Sequence, residues 1–144
     1  MDGENFSAGP VESIIGRHPD VRSVAVYAVP DDPVGDRVMV ALELWDGATF
    51  DPQAFDQFLA EQADLGPKWV PAFVRVDADL PKLSSLKIDK KVLRTHAWEA
   101  DDVVWRPGRD EPLRALTDDD REALAHLLPT TAAAGGASDG RPAP

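Results

Sequence analysis

Cysteine is absent from the 144 residues of this chain. That excludes a disulfide framework, a thiolate metal site and a cysteine nucleophile. Histidine is scarce: His18, His96 and His126 are too scattered for a cluster of zinc ligands, and no nucleophile is visible for any of them to activate. No run approaches the roughly 20 apolar residues of a membrane span, and Met1–Asn5 has neither the basic region nor the apolar stretch of a signal sequence. The expectation is a soluble cytoplasmic protein with no metal centre. Basic residues are also few, 15 against 26 acidic ones, for a formal net charge of -11.

That scarcity is uneven. Residues 82–98 hold 5 basic and 1 acidic residue, whereas residues 1–81 hold 5 and 15, and residues 99–144 hold 5 and 10. A positive island in an acidic chain points to a site for phosphate or carboxylate, not to a general affinity for nucleic acid. Aromatic residues are not interleaved with these basic ones, which further disfavours nucleic acid.

The length suits one domain with an appended tail. Ser7 can cap a first helix in which Val11, Ile14 and Ile15 form an apolar stripe, with Pro10 in the first turn where its missing N–H is harmless. Residues 21–29 are rich in β-branched side chains, and residues 37–45 alternate with Val38, Val40, Leu42 and Leu44 on one face. These spacings predict two strands, antiparallel neighbours joined through Pro30–Asp36. Asp51-Pro52 supplies an N-cap and a proline at the first helical position, opening a second helix that buries Phe55, Phe58 and Leu59. Residues 72–76 predict a third strand, and Ile88 to about Ala97 a third helix. The order α-β-β-α-β-α predicts an α+β fold: a small, mainly antiparallel three-stranded sheet flanked by helices.

Beyond residue 98 the character changes. Residues 99–116 carry apolar anchors, among them Val103, Val104, Trp105, Leu113 and Leu116, without clean periodicity, and read as an extended arm. Thr117-Asp-Asp-Asp opens a short helix with carboxylates at its positive end. Residues 129–144 are too small and polar to offset their ordering entropy and are expected to be disordered. The expected organisation is a domain over 1–98, an arm and short helix over 99–128, and a tail.

Several segments together carry a resemblance. Gly3-Glu4-Asn5 and a Ser-x-x-x-Val-Glu helix start are followed by Val-Ala-Val-Tyr-Ala-Val-Pro-Asp, the Gly35-Asp36 turn, and Leu80-Pro81 leading to Lys87 and a basic helix. In this order they resemble the C-terminal domain of adenylate-forming acyl-CoA synthetases over roughly residues 2–98. Leu-Gly-Pro-Lys-Trp at 65–69 and Val-Val-Trp-Arg-Pro-Gly at 103–108 are most similar to the fatty-acid and very-long-chain branch of bacterial ligases.

The resemblance implies a two-step reaction. A carboxylate and ATP, with Mg2+, give an acyl-adenylate and pyrophosphate, and CoA then displaces AMP. It implies that this domain is mobile, that Lys87 is the lysine delivered to the acyl carboxylate and α-phosphate, and that Gly3, Glu4 and Asn5 line the pantetheine passage. Negative charge accumulates as carboxylate oxygen attacks phosphorus, so a fixed ammonium in a desolvated site lowers that barrier. Lys90 and Lys91 are candidates for CoA phosphate contacts, or they keep their helix soluble. On composition alone the basic residues would be a solvated helix face and Gly3–Asn5 a turn; the surrounding motifs favour the functional reading.

Two departures stand beside the resemblance. Leu86 precedes Lys87 where the family usually has glycine or a small polar residue, which reduces backbone freedom. The nucleotide-binding segments and acyl tunnel that belong to the family's large N-terminal domain are absent. The expectation is therefore a lid that holds neither ATP nor CoA by itself and is inactive alone, working with a large N-terminal adenylating domain in cis or trans, as a fragment, a truncated gene product or a separate subunit. The alternative is a non-catalytic, ligase-derived protein-interaction module docking through its apolar arm.

Overall fold

The structure is a computed structural model and describes residues 8–31, 35–108 and 110–128. The tail over 129–144 and the Ser7 cap lie outside the described residues. Helix α1 (Ala8–Ile15) buries Val11, Ile14 and Ile15, the stripe expected from their spacing. Strands β1 (Val21–Asp31) and β2 (Gly35–Leu44) pair antiparallel. Their register runs out to Asp31 opposite Gly35, so pairing takes in Pro30, Asp31, Gly35 and Asp36 of the connection.

Helix α2 (Pro52–Ala60) begins where Asp51-Pro52 places it. The Asp51 carboxylate accepts from the Gln53 and Ala54 N–H groups, and Phe55 and Leu59 are buried. A 3-10 turn at Pro67–Trp69 leads into β3 (Phe73–Val76), which lies parallel to β2. This one parallel pair makes the sheet mixed, while its other pairings are antiparallel as expected. The cause of the parallel pair is α2 itself, because a helix crossing between two neighbouring strands returns the chain in the same direction.

Helix α3 (Lys90–His96) starts two residues later than expected, because Asp89 is its cap and accepts from Val92 N. Next come β4 (Val103–Trp105), β5 (Arg114–Ala115) and helix α4 (Asp118–Leu124), the last opened by a reciprocal Thr117–Asp120 capping box. Strand order is β1-β2-β3-β4-β5, a five-stranded mixed sheet in place of the three strands expected. The two further strands come from residues 99–116. Val103 and Trp105 pack in one apolar cluster and Val104 in the other.

Both faces of the sheet are covered. On one, Ala25, Tyr27, Val29, Met39, Ala41 and Phe73 pack with Leu93 and Trp98 and with Leu124 of α4. On the other, Val26, Val38, Val40, Leu42 and Val74 pack with Val11 and Ile15 of α1 and with Phe55 and Leu59 of α2. Every residue from Val38 to Leu42 is consequently buried. This two-sided core holds β2 and β3 rigidly, and the segment joining β3 to α3 leaves from that platform.

Candidate functional site

Residues 80–89 form a small hairpin. Lys82 bridges Ile88, Leu83 N donates to Lys87 O (2.7 Å), Leu86 N donates to Leu83 O (2.8 Å), and Asp89 N donates to Pro81 O (2.8 Å). This is the pattern of a tight turn closed by one left-handed residue. Leu86 is that residue, with φ of 74°. Its side chain is 80% exposed and Leu83 beside it is 47% exposed, so neither is held there by packing. A β-carbon in the left-handed region costs about 1–2 kcal/mol, so the site the resemblance would give to glycine is strained here. The left-handed φ at Leu86, with the hydrogen bonds on either side of it, turns the chain into Lys87.

Lys87 is exposed, and among the described residues its ammonium has no ion-pair partner. The hairpin therefore presents a free cation at the end of a hydrogen-bonded frame. Its neighbours differ. Lys90 Nζ lies 2.7 Å from Glu12 Oε2 and ties α3 to α1, while Glu12 also accepts from Val26 N at 2.8 Å. Lys91 is exposed, its carbonyl accepting from Thr95 Oγ1. Gly3, Glu4 and Asn5 lie outside the described residues.

The frame has an anchor that the sequence did not reveal. Glu43 of β2 is 3% exposed. Its Oε2 accepts from Leu80 N (2.8 Å) and Lys82 Nζ (2.6 Å), and its Oε1 from Arg22 (3.2 Å). Lys82 also donates to Leu80 O and Asp79, and Arg22 reaches Ala78 O. Burial alone would raise the Glu43 carboxyl; Lys82, the Leu80 N–H, Ser23 and Arg22 overcome it and hold the group at about 2. Lys82 is correspondingly raised, chiefly by its hydrogen bond to Glu43. The only sequence signal was a lone glutamate between Leu42 and Leu44 in an apolar strand.

A second buried pair fastens the other end of the molecule. Arg106 donates to Asp56 Oδ1 (2.6 Å), Pro71 O and Glu111 O, while Leu113 N donates to Asp56 Oδ2. Val103, Leu113 and Leu116, three of the apolar anchors of residues 99–116, are buried within the fold. Val104 and Trp105 are half-buried, and Val103, Val104 and Leu116 line an open groove with Phe50 and Val76.

An open mixed sheet presenting a lysine hairpin defines a small α+β module. Among the described residues no His, Cys, Asp or Glu group could hold a metal ion. Residues 10–87 match the model of the AMP-binding enzyme C-terminal domain, a match that ends on Lys87. The chain belongs to that family. It is 47% identical over 126 residues to a steroid-22-oyl-CoA synthetase of Rhodococcus jostii, covering 86% of this chain and 23% of that protein. It is 46% identical over 111 residues to a medium/long-chain-fatty-acid CoA ligase of Mycobacterium marinum, covering 77% of this chain and 22% of that one. Among solved structures, an amide bond synthetase from Marinactinospora thermotolerans matches with TM-score 0.57 at 34% identity, over 64% of this chain and 18% of that one. The chain thus spans less than a quarter of the length of the relatives it matches. Coverage of 86% necessarily runs past residue 87, so the likeness to the steroid-22-oyl-CoA synthetase takes in β4 and β5.

Proposed function

We propose that this chain is the mobile C-terminal domain of a fatty-acyl-CoA ligase and supplies the adenylation lysine, Lys87. The observation that carries the reading is an exposed, unpaired ammonium at the end of an anchored hairpin, in the last residue of the family match. A large N-terminal adenylating domain, in cis or trans, would provide the sites for ATP, Mg2+ and the acyl group, and the reaction would be cytoplasmic. Docking brings Lys87 against the oxygens that gain charge as acyl carboxylate attacks the α-phosphorus; water is expelled at the same moment, which strengthens the attraction. Lys87 neutralises and positions, and no bond forms to it.

In the thioester-forming orientation Gly3, Glu4 and Asn5 would border the pantetheine passage. Lys91 is available for a CoA phosphate without rearrangement, whereas Lys90 must leave Glu12 first. The two lysines offered as equals by the sequence therefore carry different costs.

The test is complementation. The chain alone with ATP, fatty acid and CoA releases no pyrophosphate, and adding a matching large domain restores acyl-adenylate formation. Turnover by the isolated chain, or no restoration by the large domain, contradicts the reading.

A further inference from the structure

We propose that Glu43 is a positioning residue for adenylation, holding the Lys87 hairpin in register with the sheet through Leu80 and Lys82. The inference rests on the role given to Lys87 above. Glu43 sits on β2, whose preceding residues Val38–Leu42 are buried on both sides, so its Cα continues a strand held between two packed faces. One carboxylate oxygen takes both the Leu80 N–H and the Lys82 ammonium. Those two residues open the hairpin: Lys82 bridges Ile88, and Pro81 O receives Asp89 N. The other oxygen takes Arg22, which also holds Ala78 O at the preceding bend. Both sides of the hairpin's entry are thus referred to a single buried group on the rigid strand.

The geometry explains why a charge is used. A neutral acceptor could hold the Leu80 N–H, but only a carboxylate draws in Lys82 and Arg22 together. Lys82 is then spent inside the domain, which leaves Lys87 as the hairpin's free cation among the described residues. Misplacement of a catalytic group by about 1 Å costs on the order of 100-fold, so slackening this anchor acts on rate without Glu43 touching substrate.

The discriminating variant is Glu43→Gln, which keeps the size and an acceptor for Leu80 N–H while discarding the charge. In the ligase assembled from this chain and its large domain, acyl-adenylate formation falls about 10- to 100-fold. The KM for ATP changes little, and thioester formation from preformed acyl-adenylate keeps its rate. Hydrogen exchange at Leu83, Leu86 and Asp89 accelerates in the variant while exchange at Val40 and Val74 does not. Lys82→Met, which leaves Glu43 in place, gives the same selective defect, and the double variant is no worse than the more severe single. Equal losses in both half-reactions, or an unaltered hairpin with unaltered adenylation, overturn the proposal. Lys87→Ala run in parallel separates the two ideas. Loss with Lys87→Ala but full rate with Glu43→Gln overturns the positioning role alone; full rate with Lys87→Ala overturns the ligase reading and this role with it.

Discussion

Two carboxylates, Glu43 and Asp56, organise opposite ends of this domain, and they do so to different effect. Asp56 gathers Arg106 and the Leu113 N–H, and the segment it captures ends with its apolar side chains buried and a short strand on the sheet edge. Glu43 gathers Lys82, Arg22 and the Leu80 N–H, yet the segment it captures ends with two exposed leucines, a left-handed Leu86 and an unpaired Lys87. Similar anchoring chemistry closes one region and leaves the other open. Anchoring that leaves the tip strained and exposed is what the proposed presentation of Lys87 requires.

The sharpest way to break that comparison is Arg106→Ala. It leaves Asp56 without its cation and frees the β4–β5 edge, so the chain loses about 3 kcal/mol of stability, read from urea unfolding. A loss below about 1 kcal/mol would mean that the two ends are not fastened as described. Acid comes next. The Glu43 carboxyl is depressed from its ordinary value of 4.5 to about 2 in the folded chain. Its contribution is therefore fully present above about pH 4.5 and is lost as pH falls through the range down to 2. Asp120 is depressed as well, to about 2, chiefly by its hydrogen bond to Arg114, and contributes to the same acid limb. Glu43→Gln should flatten the part of the stability profile between pH 4.5 and 2 that Glu43 supplies, measured by thermal melts; an unchanged profile would deny it that role.

The smallest expected effect isolates Leu86. With 80% of the residue exposed there is little packing to lose, so Leu86→Gly and Leu86→Ala differ mainly in backbone strain. The glycine variant should be the more stable by about 1 kcal/mol, and the reverse order would show that positive φ is not what the hairpin demands.

These residues also show how far the sequence could be read. Periodicity located α1 and β2, β-branched composition located β1, and Asp51-Pro52 located α2, because each signal lies within a few residues of the element it makes. Lys87 was singled out through its neighbouring motif. The short β4 and β5 gave no such signal, since two or three residues cannot show a period, the side chains of β4 serve both faces of the sheet, and β5 is exposed. The parallel β2–β3 pairing was implied by the crossover helix and overlooked. Glu43 and Asp56 escaped because their partners lie 39 and 50 residues away, at Lys82 and Arg106, and an isolated acidic residue in a strand or helix carries no mark of a distant cation.

The central claim is that the cation at the open end of the domain serves adenylation. Its most direct measurement is the rate of acyl-adenylate formation by the assembled ligase with Lys87→Ala, set beside thioester formation from preformed adenylate. Adenylation should fall by orders of magnitude, roughly 3–5 kcal/mol in barrier, while the thioester step is retained. An unchanged adenylation rate would contradict the account.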